Sequence, residues 1–471
     1  MKKFNVLALM LAIVLLLGSL CGCSQSAPRQ SAPAKVSEAT AAPVAESAAP
    51  SETPPATPSP SAEVTLADEN VEISLGSWGF KQDWIPVIQR ELNKKYPNIT
   101  ITYEAMEYAD YVNKLKINLV SGTGWDVFVL QPGALLDASK EYCLPLLDRI
   151  EKEWGPQWKD QFVDGSLDPI LAADPNVLGF PDVMSYAGML FFNKTVLKNH
   201  GLDAFPATYE ELKNYVQTLR SGNELPIIIG GKDTWIIIDL FTVIANDIAP
   251  GKIYEADAGT IAWTDPGIVA ALKAWKQLFP DGILQDGCLG IPQYPTAAEL
   301  YWRNRQGSAL VDGDWTLGIF TNPEWKDDTN VDEYGLAAFP DMNGDGQPCA
   351  ISYSPGSIYC INKNIDAAKQ EAAWQFIKWY ATEEGMQVMN SPEIGMAYNP
   401  AFKAVVITRN SDSANFINCA NDLAGLSKRV GGARELNNAD VKNALGEVLQ
   451  ELGTGLSAQE AAQKLQDASG Q

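Results

Sequence analysis

From Val71 onward the chain alternates between two periodicities. Val71-Glu-Ile-Ser-Leu75 carries an apolar side chain at every second position, which predicts a strand with one buried face, and Gly76-Ser-Trp-Gly79 breaks it. Between Trp84 and Tyr96 the apolar residues recur at near-helical spacing, and Pro97-Asn98 stops the run. Ile99-Thr-Ile-Thr-Tyr103, rich in β-branched residues, predicts a second strand, and Tyr108 to Val120 an amphipathic helix. Ser121-Gly-Thr-Gly124 turns the chain into Asp126-Val-Phe-Val-Leu130, apolar enough to be buried on both faces. Three strands separated by helices predict an α/β fold with a mostly parallel sheet covered on both sides. Ligands of such sheets sit beyond the strand C-termini, which puts Trp78 and Gln131 at the mouth.

The same grammar then starts again. Gly188-Met-Leu-Phe-Phe192 reads as a strand, and Tyr209 to Ser221 as a helix opened by the capping-box spacing Thr208-Tyr-Glu-Glu211. Pro226 to Ile229 is a further strand, followed by helices near Trp235 to Asp247 and Pro266 to Phe279 and a Gly/Pro-rich stretch through Pro295. After Tyr334-Gly-Leu-Ala-Ala-Phe339, a strand pair is expected to flank Asp341-Met-Asn-Gly-Asp-Gly346, and the helix Ala367 to Thr382 is expected to return to the first half. No segment repeats at a fixed period, which disfavours solenoids and propellers.

The first 67 residues follow other rules. Lys2 and Lys3 precede an apolar run from Val6 to Leu20, short for a membrane span and suited to the core of an export signal. The run ends in Leu20-Cys21-Gly22-Cys23, which resembles the bacterial lipobox and implies cleavage after residue 22 and lipid attachment to Cys23. Residues 24–62 contain 11 Ala, 8 Pro and 8 Ser and no aromatic residue, a composition that cannot offset its own chain entropy by burial. The expected organisation is a signal peptide 1–22, then a lipidated Cys23 and flexible tether through residue 67 with a reach of roughly 35 Å.

Composition removes several functions. With 35 Lys plus Arg against 58 Asp plus Glu the formal charge is −23, so nucleic acid is excluded as an expected partner and the membrane is reached only through the lipid. The single histidine, His200, rules out multi-histidine metal chemistry and weakens any Ser-His-Asp scheme; its place in Asn199-His-Gly201 reads as a helix C-terminal cap. Beyond the signal remain Cys143, Cys288, Cys349, Cys360 and Cys419, an odd number without CxxC spacing, read as scattered buried thiols; pairing of Cys349 with Cys360 stays open. Asp341, Asn343 and Asp345 copy the first half of a calcium loop, but Ser352 falls where a bidentate Glu is needed, so a polar turn is the expectation and no metal or cofactor is assigned.

An ordered set of motifs resembles one family. Asn93-Lys-Lys-Tyr-Pro-Asn-Ile-Thr-Ile101, Tyr111-Val-Asn-Lys-Leu115 and Ser121-Gly-Thr-Gly-Trp-Asp-Val-Phe128 are followed by Gly179-Phe-Pro181, Phe192-Asn-Lys194 and Pro206-Ala-Thr-Tyr-Glu-Glu-Leu212. Gln306-Gly-Ser-Ala-Leu-Val311, Gly313-Asp-Trp315, Asn362-Lys-Asn364 and Ala373-Trp-Gln-Phe-Ile-Lys378 complete the series. Together they resemble the extracellular solute-binding proteins, family 1, of ABC sugar importers, over about residues 68 to 467. Departures are Trp125, where that family often has Pro, and the insert Ile283 to Pro295. The resemblance implies a two-lobed, periplasmic-binding-protein-like α/β fold of type II. Its ligand cleft lies between lobes joined by about three crossovers. Lobe 1 is expected over 68–182 and 340–385, and lobe 2 over 183–339 and 386–471.

A sugar presents hydroxyls around its edge and apolar C–H faces, so its site needs aromatic platforms and neighbouring hydrogen-bonding groups. Trp78 is the leading platform in the first lobe, with Lys81, Gln82 and Gln131 beside it. Asp182 and Tyr186 at the crossing serve either ligand contact or hinge hydrogen bonding, and Trp235 opens a helix at the second-lobe rim. The resemblance further implies that Trp315 stacks on sugar, with Asp314 accepting a hydroxyl, and that Ser354 and Gly356 pass close to ligand; Tyr398 is a rim candidate. The implied function is non-enzymatic. A monomeric, lipid-anchored, extracytoplasmic protein captures a carbohydrate by interlobe closure and delivers it to an ABC permease. Two alternatives remain at this point: a lipid-anchored glycoside hydrolase and a surface solute receptor without a permease.

Overall fold

The computed structural model describes residues 70–407 and 412–470; the expected signal peptide, Cys23 and tether lie outside the described residues. Three sheets organise the chain. The first runs in the order Ile99–Tyr103, Val71–Gly76, Val127–Leu130, Ile358–Ile361, Phe180–Pro181. Its first three strands are parallel, as expected of strands joined by covering helices, while Ile358–Ile361 is antiparallel to both of its neighbours. Asp126 braces this sheet: its carboxylate accepts hydrogen bonds from the Ser74 amide and hydroxyl at 2.8 and 2.9 Å and pairs with Lys369 at 2.9 Å.

The second lobe is built on Ile227–Ile228, Ala309–Asp312, Met189–Asn193 and Tyr334–Ala338. Here Met189–Asn193 lies antiparallel to both neighbours, so the mostly parallel expectation fails in this lobe. Ile227–Ile228 alone keeps a parallel pairing, with Ala309–Asp312. The helices Thr234–Ile248, Pro266–Gln277, Ala439–Thr454 and Ala458–Ser469 pack over this sheet around Trp263, Leu272 and Trp275.

Between the lobes lies a third sheet, Asn399–Pro400, Val183–Ala187, Ile351–Pro355, Val430–Ala433, which carries the crossings. It corrects two expectations. The strands on either side of Asp341–Gly346 do not pair, because Tyr334–Ala338 joins the second-lobe sheet and Ile351–Pro355 the crossing sheet. Residues 386–405 were expected in lobe 2, yet Met386, Met389, Ile394 and Phe402 pack in the first core, since the short helix Gly385–Met389 docks on Ile85–Leu92 and Ala367–Thr382. Cys349, expected in lobe 1, is buried in the second core beside Phe339.

The remaining candidates resolve locally. Among the described residues all five cysteines are buried free thiols, Cys349 in the second core and Cys360 in the first. The Asp341 carboxylate accepts backbone amides from Asn343, Gly344 and Gly346, so its oxygens shape the turn and are spent on it. His200 closes the helix Lys194–Asn199. Among the described residues no helix is long and apolar enough to cross a membrane.

Candidate functional site

Three groups of candidate residues emerge, one from each sheet. The first is an aromatic wall on lobe 1. Strand Val71–Gly76 ends just before Trp78, whose half-buried ring meets Tyr108 edge-on at 5.2 Å and Tyr111 at 5.4 Å. Tyr108 opens the helix Tyr108–Ser121, and its hydroxyl donates to the side-chain oxygen of buried Gln131, which leaves strand Val127–Leu130. Trp78, Tyr108 and Gln131 thus form one continuous surface at the strand ends.

The second wall belongs to lobe 2. Trp235, in the first turn of Thr234–Ile248, stacks on Tyr294 at 6.1 Å with 16° between the planes and meets Trp315 edge-on at 6.0 Å. The Trp315 indole N–H donates to the Tyr294 hydroxyl at 3.0 Å, and that hydroxyl donates to Asp312 at 2.7 Å. Gly313 makes this fold-back feasible, because a Cβ there would lie 2.1 Å from the Trp315 ring. Burial lifts the Asp312 carboxyl to about 6 against its hydrogen bonds, Tyr294 first among them. Behind the rings, Arg434 reaches both carboxylate oxygens of Asp239 at 2.8 and 2.9 Å, and its guanidinium carbon lies 4.7 Å from the Trp315 ring centre.

The two walls approach each other. The Tyr108 phenol is raised above its ordinary value chiefly by burial, and it also feels the charges of Lys442, Glu435, Arg434 and Asp239 from the other lobe. The Ala134 amide of lobe 1 donates to the Leu436 carbonyl at 3.0 Å.

The third group is the crossing itself. Asp314, buried, accepts from the Tyr186 amide at 3.1 Å and the Asn399 side chain at 2.9 Å, tying its segment to two crossing strands. Tyr186 packs on Tyr353 at 4.8 Å. The crevice among Val183, Ser185, Asp314, Trp315, Tyr398 and Asn399 holds about 10 Å³, the room of about one water, so a sugar ring enters only if these walls separate.

Five sequence candidates contact other protein groups in this structure. Asp182 is buried, its carboxylate on the Val183 amide at 2.7 Å, and burial raises it to about 7. Gly356 does mark a close approach, but to protein: a Cβ would lie 2.6 Å from the Ser185 hydroxyl oxygen. Ser354 is buried and its hydroxyl donates to the Pro355 carbonyl at 3.2 Å. Lys81 pairs with Glu324 of the second lobe, and Gln82 spends both ends of its amide on the Tyr103 carbonyl and the Ala105 amide. The two walls also include Tyr108, Tyr294, Asp239 and Arg434, which no sequence motif singles out. Tyr294 lies in the Gly/Pro-rich insert that carried no motif, and Asp239 and Arg434 are 195 positions apart, so no local spacing links them.

Residues 79–387 match a family model described as bacterial extracellular solute-binding protein. Among solved structures the chain is similar to a chitin oligosaccharide binding protein, with a TM-score of 0.72 and 23% identity over 85% of this chain and 98% of that one. It is also similar to maltose-bound T. maritima MalE3, with a TM-score of 0.69 and 17% identity over 85% and 99%. A maltotriose-binding protein of Pyrococcus abyssi (strain GE5 / Orsay) is 20% identical over 326 residues, 66% of this chain and 61% of that protein. The shared fold is the two-lobed type II arrangement of periplasmic binding proteins.

Proposed function

Since the chain belongs to the bacterial extracellular solute-binding proteins, we propose that it captures a sugar or short oligosaccharide between its two aromatic walls and delivers it to an ABC permease. The observation that carries this reading is the pairing of Trp78, Tyr108 and Gln131 on one lobe with Trp235, Tyr294 and Trp315 on the other. Indole and phenol faces suit the C–H faces of pyranoses, and the neighbouring carboxylates and amides suit hydroxyls, each well-placed bond contributing about 0.5–1.5 kcal/mol net. Closure follows from ligand touching both walls, because a ligand shifts the open–closed equilibrium only by its differential affinity for the two states. The chain works as an extracytoplasmic monomer held by lipid on Cys23, without a cofactor and without covalent chemistry on its ligand. Against hydrolysis stands the local chemistry: Asp312 and Asp314 flank Gly313 on one segment, whereas glycosidic cleavage needs two carboxylates on opposite sides of the bond.

The test is thermal-shift and intrinsic-fluorescence screening of residues 68–471 against mono- and oligosaccharides. A ligand at 100 times its Kd should add about 2.7 kcal/mol of stability. Binding of one glycan series without release of reducing ends supports capture. Release of reducing ends would favour the hydrolase, and binding of peptides with no carbohydrate response would overturn the ligand class.

A further inference from the structure

Arg434 belongs to none of the sequence motifs, yet it sits where three parts of the molecule converge. It directly follows Val430–Ala433, an edge strand of the crossing sheet that pairs with Ile351–Pro355. Its guanidinium fork lies bidentate on Asp239, one helical turn beyond Trp235 on the same helix, and both partners are buried. The same guanidinium lies 4.7 Å from the centre of the Trp315 ring and 5.9 Å from that of Trp235. Two residues further on, the Leu436 carbonyl accepts the Ala134 amide of the first lobe. Within four positions, Ala433 to Leu436, the chain therefore joins the crossing sheet, the tryptophan wall and the opposite lobe.

A buried ion pair of this kind adds little to stability compared with apolar residues of the same volume, because desolvation offsets the attraction. What it does supply is geometry. A bidentate guanidinium–carboxylate pair fixes both groups in one plane, and a cation near an indole face favours one position of that ring. A lysine cannot reproduce either, since its ammonium is a point charge without the planar fork. Burial opposes the Arg434 charge, but Asp239 and Glu435 more than offset it, so the group stays cationic.

We propose that Arg434 is a positioning residue for ligand binding: held by Asp239, it sets the angle between the Trp235 and Trp315 rings and couples that wall to the interlobe contact at Leu436. The inference rests on the reading that this wall receives the ligand.

The test compares Arg434→Lys, Arg434→Met, Asp239→Asn and Trp315→Ala in the folded chain. The first measurement needs no ligand: 15N-indole NMR, with the Trp235 and Trp315 resonances assigned through Trp235→Phe and Trp315→Phe. The second is titration with maltotriose, chitotriose and xylotriose. Arg434→Lys, the milder change, keeps the charge, folds, shifts both indole resonances and weakens the bound probe about tenfold, equivalent to about 1.4 kcal/mol. Asp239→Asn shifts the same two resonances. If Arg434→Lys leaves both resonances in place and the Kd within twofold, the inference is overturned, whether or not Arg434→Met folds. Should Trp315→Ala bind the probe normally, the wall itself is misassigned. If no probe binds, the carbohydrate reading fails, and the indole spectra still decide whether Arg434 sets the rings.

Discussion

The two walls solve the same recognition problem with different chemistry. The lobe 1 wall is neutral: Trp78 leans on Tyr108 and Tyr111, and Tyr108 is tied to an uncharged amide, Gln131. The lobe 2 wall is backed by charge, with Trp315 bonded through Tyr294 to Asp312 and facing the Arg434–Asp239 pair. Both indoles are half-buried, but Trp78 is held by ring packing alone, whereas Trp315 is held by a hydrogen bond, a neighbouring indole and a guanidinium. Rigidity lowers the entropy lost when a ligand is ordered against a surface, so the second wall should carry the larger share of affinity.

The largest expected effect breaks that comparison directly. Trp315→Ala removes a ring held from three sides and should cost 2 kcal/mol or more, roughly a thirtyfold loss of affinity for the best glycan. Trp78→Ala should cost about 1 kcal/mol, because Tyr108 still offers a face. Isothermal titration of both variants decides it, and equal losses would mean that the walls do not differ in the way their chemistry implies.

The crossing sharpens the comparison from another side, because it also contains a buried acid, Asp182, which among the described residues is held by backbone amides. Asp182 is raised to about 7 by burial, against the backbone amides that favour its charged form. An unfolded aspartate titrates near 3.9. Between these values the folded state binds more protons than the unfolded one, so stability falls as pH rises. The contribution is fully present below about pH 4 and lost as pH climbs through 7, in total about 2–4 kcal/mol. Asp182→Asn removes this dependence. Urea midpoints from pH 4 to 8 for both proteins should diverge upward, with the variant the more stable at pH 8, and parallel curves would show that Asp182 stays ionised.

How much of this was legible before the coordinates depends on the range of the signal. Strand Ile99–Tyr103 and the helices Tyr209–Ser221 and Ala367–Thr382 announce themselves by period and by capping residues, because burial of one face is a local pattern. The crossing sheet does not. Asn399–Pro400 is too short to show a period, and Val430-Gly-Gly-Ala433 has no apolar face to display. In the proposed site, Trp78, Gln131 and Trp235 were visible because each follows a strand end or a glycine turn, and Trp315 because Gly313-Asp-Trp315 resembles a family motif. Arg434 and Asp239 were not, since their bond joins distant segments. Gly356 shows the limit of reading a glycine: it signals close approach, and here the approaching group is Ser185.

The smallest expected effect concerns an exposed charge pair that joins the two lobes. Lys81, beside Trp78, pairs with Glu324, which also receives Arg303 at 3.1 Å; both members of the Lys81 pair are about half exposed. An exposed pair of this kind contributes about 0–1 kcal/mol and is screened by salt. Because it spans the lobes, its energy is present only while they are together, so Lys81→Ala should act on release of ligand more than on capture. The expected change is a dissociation rate faster by about twofold to fivefold at low ionic strength, with the difference gone near 0.5 M salt. Stopped-flow fluorescence at two salt concentrations reads it. A change that persists at high salt would mean that Lys81 touches the ligand itself, and the lobe 1 wall would then be charged as the lobe 2 wall is.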